Sequence, residues 1–487
     1  MASRTLRLRI LHSNDIHSHF EQMPSIAAAF RELRESAGAE HTLTLDIGDH
    51  IDRVRIETEG SGGSANLAIM NETGYDAITI GNNEGLTLSQ DALTQLYGSQ
   101  ARFTVLCSNL YDASSGQIPK WGKGSHIIEK SGMKIGLIGV TAYFSDFYQL
   151  LGWDIREPLS ITSDLVRELR PQVDLIVVLS HLGLRNDQRM ADEIKGIDLI
   201  LGGHTHHLLE EPLRMGETYV CAAGKFGQYF GVVDIEMDAH TRQKVKVNAS
   251  IHEVSSYPAD EQITKLVDSY RSSSEQALSQ QVAYLEQPLS AEWYEEAPLG
   301  NLLAAGIRRW THADLAIVNA GQLLGGLDRG AVSMGRLLQI CPSPINPCRM
   351  LLTGDRIWRA LEESRIQEFM EKPLYGFGFR GKVLGMLNVD GMQVEYDSKA
   401  PAYSKIKRVW IGNEQLVREK EYVVGTIDMF TFGIGFLSLS EGTEIEYILP
   451  NFIRDVIREE LQETGAVQAS LVKRWTAVDV NDSRENH

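Results

Sequence analysis

Residues 6–17 read LRLRILHSNDIH, an alternation of apolar and basic side chains typical of a β-strand that runs without a break into Asp15 and His17. The same arrangement, a strand-like apolar run followed at once by a side chain able to bind metal, recurs through the first half of the chain. Residues 42–45 lead to Asp49, 77–80 to Asn82, 175–179 to His181, and 199–201 to His204 and His206. Helical segments separate the runs. One starts near Pro24, repeats Ile26, Phe30 and Leu33 at helical spacing and is closed by Gly38; another starts near Ser64, sets Leu67 and Met70 on one face and stops at Gly74. This alternation predicts a layered α/β domain. The carboxyl ends of strands in such a sheet share one rim, where Asp15, His17, Asp49, Asn82, His181, His204 and His206 are expected to converge.

The mixture of donors is informative in itself. Carboxylate oxygens, imidazole nitrogens and an amide oxygen suit divalent ions such as Mn, Zn, Fe, Co or Mg better than thiolate-seeking ones. Seven donors exceed the needs of one tetrahedral ion, whereas two ions roughly 3.5–4 Å apart, bridged by one carboxylate, use them all.

Composition narrows the remaining possibilities. The chain has 487 residues with 47 Lys+Arg against 65 Asp+Glu, a formal charge of −18 that disfavours binding to nucleic acid. The amino-terminal residues lack the pattern of a signal peptide, and the longest apolar run, 175–179, is far short of a membrane span. A soluble cytoplasmic protein with no membrane partner is expected. Cys107, Cys221, Cys341 and Cys348 are too scattered to staple the fold, and the last two read as free thiols in a Pro-rich loop. The expected organisation is a first α/β domain over 1–256, a polar linker helix over 257–288, and a second α/β domain over 289–487. That second domain includes a helix near 299–311, a strand at 315–318 and a strand pair near 383–396. GSGGS at 60–64 and the Lys225 segment AGKFGQYFG lack P-loop spacing; the former reads as a loop before a helix.

The motifs NDIH (14–17), GD (48–49), GNNE (81–84), SH (180–181) and GGHTH (202–206) resemble, in order and spacing, those of calcineurin-like metallophosphoesterases. Residues 222–238, 298–309 and 352–362 extend the resemblance to the two-domain 5′-nucleotidase family. The resemblance implies a four-layer α/β/β/α sandwich followed by a smaller α/β domain that supplies the nucleotide pocket. It implies a first metal on Asp15, His17, Asp49 and His206, and a second on Asp49, Asn82, His181 and His204. The implied activity is in-line hydrolysis of a nucleotide-like phosphate ester, with both ions neutralising phosphoryl oxygens.

Departures from the family pattern bear on substrate. Asn83 stands where a histidine usually protonates the leaving group; an amide donates a hydrogen bond but no proton. His19 or His50 lies near enough in sequence to substitute, and Asp49, Asn83 and His19 form the expected catalytic set. NAGQLLGG (319–326) lacks the usual phosphate-gripping arginine, although Arg329 and Arg336 are close, and FGIGF (432–436) has Ile434 where an aspartate usually holds ribose. The remaining expected substrate contacts are Asn319, Arg380 and the aromatic rings of Phe377, Phe379, Phe430 and Phe432, which suit stacking on a base. Alternatives are a phosphodiesterase or pyrophosphatase acting on cyclic nucleotides or nucleotide-sugars, or a non-catalytic metal- or nucleotide-binding protein. Retention of every ligand type argues against the last.

Overall fold

The computed structural model describes residues 5–376 and 378–478. The chain divides into two units, Met1–Ala277 and Leu278–His487. In the first, the opening run forms the strand Thr5–Ser13, with Thr42–Asp46, Ala77–Thr79 and Thr104–Leu106 following in parallel on one side. Tyr229–Asp238 and Lys244–Glu253 continue the sheet antiparallel on the other side. A second six-stranded sheet has Thr218–Ala222, Leu199–Gly202, Leu175–His181 and Met133–Thr141 in parallel, edged by antiparallel Leu213–Met215 and His126–Lys130.

Side-chain alternation sorts these strands into four layers. Leu8, Ile10, Leu43 and Leu45 of one sheet share a core with Leu175, Val177, Leu179 and Leu201 of the other. The opposite face of Leu175–His181 sends Ile176 and Val178 onto the helices Pro158–Leu169 and Leu184–Glu193. The run at 175–179 is therefore continuously apolar because it is buried on both faces. Each such side chain contributes about 1.5–3 kcal/mol by leaving water. The outer face of the first sheet is covered by the helices Met23–Ala37, Ser64–Thr73 and Gln90–Ser99, and Ile263 and Val267 of the helix Glu261–Leu278 pack into the same core. The stretch expected as a linker helix is thus helical over Glu261–Leu278, whereas Gln281–Leu285 is a strand. Of residues 60–64, expected as a loop before a helix, Gly62 and Gly63 form the turn and Ser64 opens the helix Ser64–Thr73, whereas Gly60 and Ser61 belong to the short helix Ile56–Ser61.

The second unit contains a five-stranded sheet in the order Leu387–Asp390, Leu315–Asn319, Glu421–Ile427, Pro347–Thr353 and Thr443–Tyr447, packed on the helix Pro298–Thr311. The expected strand pair near 383–396 is two strands of different sheets: Leu387–Asp390 pairs with Leu315–Asn319, and Met392–Tyr396 with Ile406–Ile411. Gly391, at φ +74°, makes the turn between them; a side chain there would meet the Asp314 carbonyl at 2.5 Å. All four cysteines are buried and free. Cys341 follows the helix Met334–Ile340 and Cys348 lies within a strand, so they do not share a loop. Among the described residues no helix is long and apolar enough to cross a membrane.

Candidate metal centre

Each parallel strand of the two sheets ends at the same rim, and the loops that follow are locked to one another by backbone contacts. The Asp15 and His17 amides donate to the Gly48 and Asp49 carbonyls at 3.0 and 2.8 Å. Across the sandwich, the His204 amide donates to both oxygens of Asp15 at 3.0 and 3.1 Å, and Asn14 bonds Ala223 and Gly224. Asp49 sits so close to the next loop that a side chain at Gly81 would fall 2.0 Å from its carboxylate. Asp15, His17, Asp49, His204 and His206 all have positive φ, between 48° and 72°. The loops thus bend sharply to turn their side chains onto one point.

Two clusters result, Asp15 with His17 and His206, and Asp49 with His181 and His204; the donor atoms of each lie within 4.8 Å of one another. His17 Nε2 is 3.2 Å from His206 Nε2, and Asp15 Oδ1 is 3.5 Å from the latter. Asp49 Oδ2 faces both clusters, 3.3 Å from His181 Nε2 and 3.7 Å from His17 Nε2. Donors bound to one ion at about 2.0–2.2 Å stand roughly 3–3.5 Å apart, so these spacings suit a shared cation. His181 Nε2 and Asn82 Oδ1 are buried with no hydrogen-bond partner among the described residues, as expected of lone pairs meant for an ion. His181 Nδ1 lies 2.7 Å from the Ile47 carbonyl, which fixes the tautomer that leaves Nε2 bare for metal.

Electrostatics point the same way. Burial acts to lower the His181 pKa, but Asp49 and Asp15 outweigh it and push it up to about 10, so the buried carboxylates favour positive charge here, whether a proton on Nε2 or an ion that displaces it. Burial holds His204 near 4 and His206 near 3, leaving neutral rings with available lone pairs. Burial would raise Asp49, yet the neighbouring His181 and His17 hold it below its ordinary value.

Residues around the clusters complete the frame, and two of them carry roles that sequence reasoning missed. Asp52 Oδ2 is 3.3 Å from His17 Nδ1, a carboxylate behind a ligand imidazole; its spacing of three from Asp49 is the only sequence signal. Glu84 accepts the Asp49, Ile51 and Gly81 amides at 3.0, 2.8 and 2.8 Å and so ties three loops together; burial first, then Asp49, raise it to about 7. Asn83 donates its backbone amide to Asp49 Oδ1 at 2.8 Å. Its side-chain nitrogen donates to the Ile51 carbonyl at 3.2 Å and lies 3.0 Å from His17 Nδ1. His19 bonds Glu21 at 2.7 Å and stacks on Phe226, whose edge meets His17; His50 is buried beside Asn66. Neither joins the clusters.

The expected substrate residues of the second unit are dispersed. Phe430 and Phe379 lie in its core, 0% and 5% exposed, while Phe432 is 42% exposed. Asn319 is buried, with its amide donating to Leu384 and accepting from Gln322. Arg380 is held through its backbone amide by Ser343, and Phe377 lies outside the described residues.

Residues 8–208 match the calcineurin-like phosphoesterase family and residues 277–441 the 5′-nucleotidase C-terminal domain. The chain is 36% identical over 461 residues to the uncharacterized metallophosphoesterase YunD of Bacillus subtilis, covering 94% of this chain and 99% of that one. Its fold is similar to the 5′-nucleotidase precursor of Thermus thermophilus, with a TM-score of 0.60 at 22% identity over 97% of this chain and 99% of that one. It is also similar to the NAD nucleotidase of Haemophilus influenzae, with a TM-score of 0.68 at 17% identity over 98% of this chain and 100% of that one. With both domain matches in order and a full-length relative, the chain belongs to the two-domain 5′-nucleotidase family, a metallophosphoesterase domain followed by a 5′-nucleotidase C-terminal domain.

Proposed function

We propose that the chain hydrolyses a phosphate ester of a nucleotide or nucleotide-like small molecule at this rim. The observation that carries the proposal is the pair of Asp/His clusters facing one carboxylate oxygen of Asp49. Asp15, His17, Asp49 and His206 would hold one ion and Asp49, Asn82, His181 and His204 the other, with Mn, Zn, Fe, Co or Mg all compatible with these donors. Bound there, two such ions supply Lewis-acid neutralisation of phosphoryl charge and activation of the attacking water. The protein's own contribution is rigidity: Glu84 pins the loops, Asp52 orients His17, and the Ile47 carbonyl orients His181. Four buried free thiols support a cytoplasmic location.

A second reading, cleavage of a diester or pyrophosphate, is favoured by Asn83. Its amide has no proton to give a poor leaving group, and its nitrogen is turned toward Ile51 and His17. The test is hydrolysis by chelated protein reloaded with each metal, on p-nitrophenyl phosphate, its bis ester, AMP, cyclic AMP, NAD and a UDP-sugar. Metal-dependent turnover of monoesters supports the first reading, and preference for the bis ester or a pyrophosphate supports the second. No turnover with any metal would refute both. If Asn83 limits the monoesterase, Asn83→His should raise turnover of AMP by roughly 10²-fold or more.

A further inference from the structure

The strand Thr218–Ala222 runs parallel to Leu199–Gly202 and ends at the same rim, where it passes into the loop AGKFG at 223–227. This loop is fastened to both neighbouring loops that carry candidate ligands. The Gly224 amide donates to the His207 carbonyl at 2.9 Å, and the Phe226 amide donates to the Asp15 carbonyl at 2.7 Å. The Asn14 side-chain nitrogen also donates to the Gly224 carbonyl at 2.7 Å. Phe226 takes φ +61°, a conformation that a bulky residue seldom adopts. Its ring stands edge-on to His17, and its centre lies 6.2 Å from that of His206.

Lys225 is mounted between these two anchored residues. Its ammonium lies 4.6 Å from the centre of the Phe226 ring, and its charge adds to burial and to His17 in lowering the His206 pKa. The side chain is exposed, and among the described residues no carboxylate pairs with it. The two arginines that follow Asp49 in its own loop differ in this respect: Arg53 binds Glu59 at 2.7 Å, and Arg55 binds Glu21. In a chain with 65 acidic residues against 47 basic ones, a cation at the rim is not left unpaired for want of acid.

Two divalent ions at the clusters would outweigh the carboxylates of Asp15, Asp49 and Asp52 and leave the loaded rim positive. An ammonium held beside a positive centre is repelled by it unless an anion lies between the two. Contact with the Phe226 ring steadies the ammonium and its stem but neutralises no charge. The anion that meets both needs is a phosphate, seated on the ions and approached by Lys225 from the His206 side.

We infer that Lys225 is a third fixed positive charge of the rim and contacts the phosphate oxygens of the substrate. The inference rests on the phosphohydrolase reading above for the substrate, but anion binding is measured without turnover. The experiment titrates the full chain, loaded with Mn²⁺ and assayed for metal content, with inorganic phosphate in a calorimeter. Lys225→Met keeps the apolar stem and removes the charge. It should weaken phosphate binding by roughly tenfold or more, the range of a lost charged hydrogen bond, with both ions retained. Lys225→Arg should stay within about threefold of wild type, because it restores the charge. Added NaCl should weaken phosphate binding more steeply in wild type than in Lys225→Met, a difference that a merely structural stem would not produce. Unchanged affinity in Lys225→Met, equal losses in the Met and Arg variants, loss of an ion from Lys225→Met, or no phosphate binding by wild type would overturn the inference. If phosphate binding depends on Lys225 while no ester is hydrolysed with any metal, the hydrolase reading fails and the anion contact stands. If esters are hydrolysed while Lys225→Met binds phosphate as wild type does, the contact alone fails.

Discussion

The rim of the first unit and the substrate segments of the second show opposite relations between residue type and place. At the rim, six ligand-type side chains fall into two facing clusters, and Asn82 adds a buried, unpartnered oxygen. In the second unit, rings picked out for base stacking divide between core and surface, with Phe430 fully buried and Phe432 42% exposed. Metal ligation restricts the residue to a few types and the position to a loop, so a match is rarely accidental. A phenyl ring serves a core as readily as a ligand, and only its surroundings distinguish the two.

The strongest way to break this contrast is Asp49→Ala. Because one oxygen of Asp49 faces both clusters, the variant should lose both ions together and all metal-dependent hydrolysis. Metal analysis showing two ions retained per chain would separate the clusters from the metal centre altogether. Next in size, Phe430→Ala should destabilise the second unit by about 3–5 kcal/mol as a core truncation, while Phe432→Ala stays within about 1 kcal/mol. Urea denaturation decides it; equal effects would show that Phe430 is not held as the structure places it.

A third test distinguishes core imidazoles from ligand imidazoles. His12 is buried three residues before Asp15, and burial lowers its pKa to about 4. The unfolded chain takes up this proton near pH 6.5 and the native chain only near 4, so between those values the unfolded state binds more protons. Stability should therefore fall as pH drops through that window, by about 2–3 kcal/mol at pH 4.5. The loss should be missing from His12→Asn in a comparison of urea midpoints made in chelator. The smallest effect is expected from Asp52→Ala: metal affinity by titration calorimetry should fall by about 10–100-fold with two ions still bound. Unchanged affinity would mean that His17 needs no carboxylate behind it.

The layers and the clusters were legible in sequence because both are repeated signals. Apolar runs such as 175–179 declare burial on two faces, and each ligand follows its strand at once. What was not legible depends on side chains meeting across loops. Asp52 reads as one more polar residue until the fold brings it to His17. Residues 383–396 read as a strand pair, but the alternation says nothing about which sheet a strand joins, and the turn at Gly391 sends Leu387–Asp390 and Met392–Tyr396 to different sheets. Residues 60–64 read as a loop before a helix from their glycines, which holds at Gly62 and Gly63, but the helix Ile56–Ser61 runs through Gly60 at a point where a side chain would strike Ser274.

The positive φ angles of Asp15, His17, Asp49, His204 and His206 restrict how the site can be re-engineered. Among residues with a side chain, aspartate, asparagine and histidine tolerate the left-handed region best, and these are also the residues that ligate here. Exchanging them for cysteine to attract a thiolate-seeking ion, or for glutamate to lengthen the reach, would burden the backbone as well as alter the donor. The loops thus make the ion preference of the rim resistant to change one ligand at a time, and retuning it calls for redesigning the turns along with the side chains.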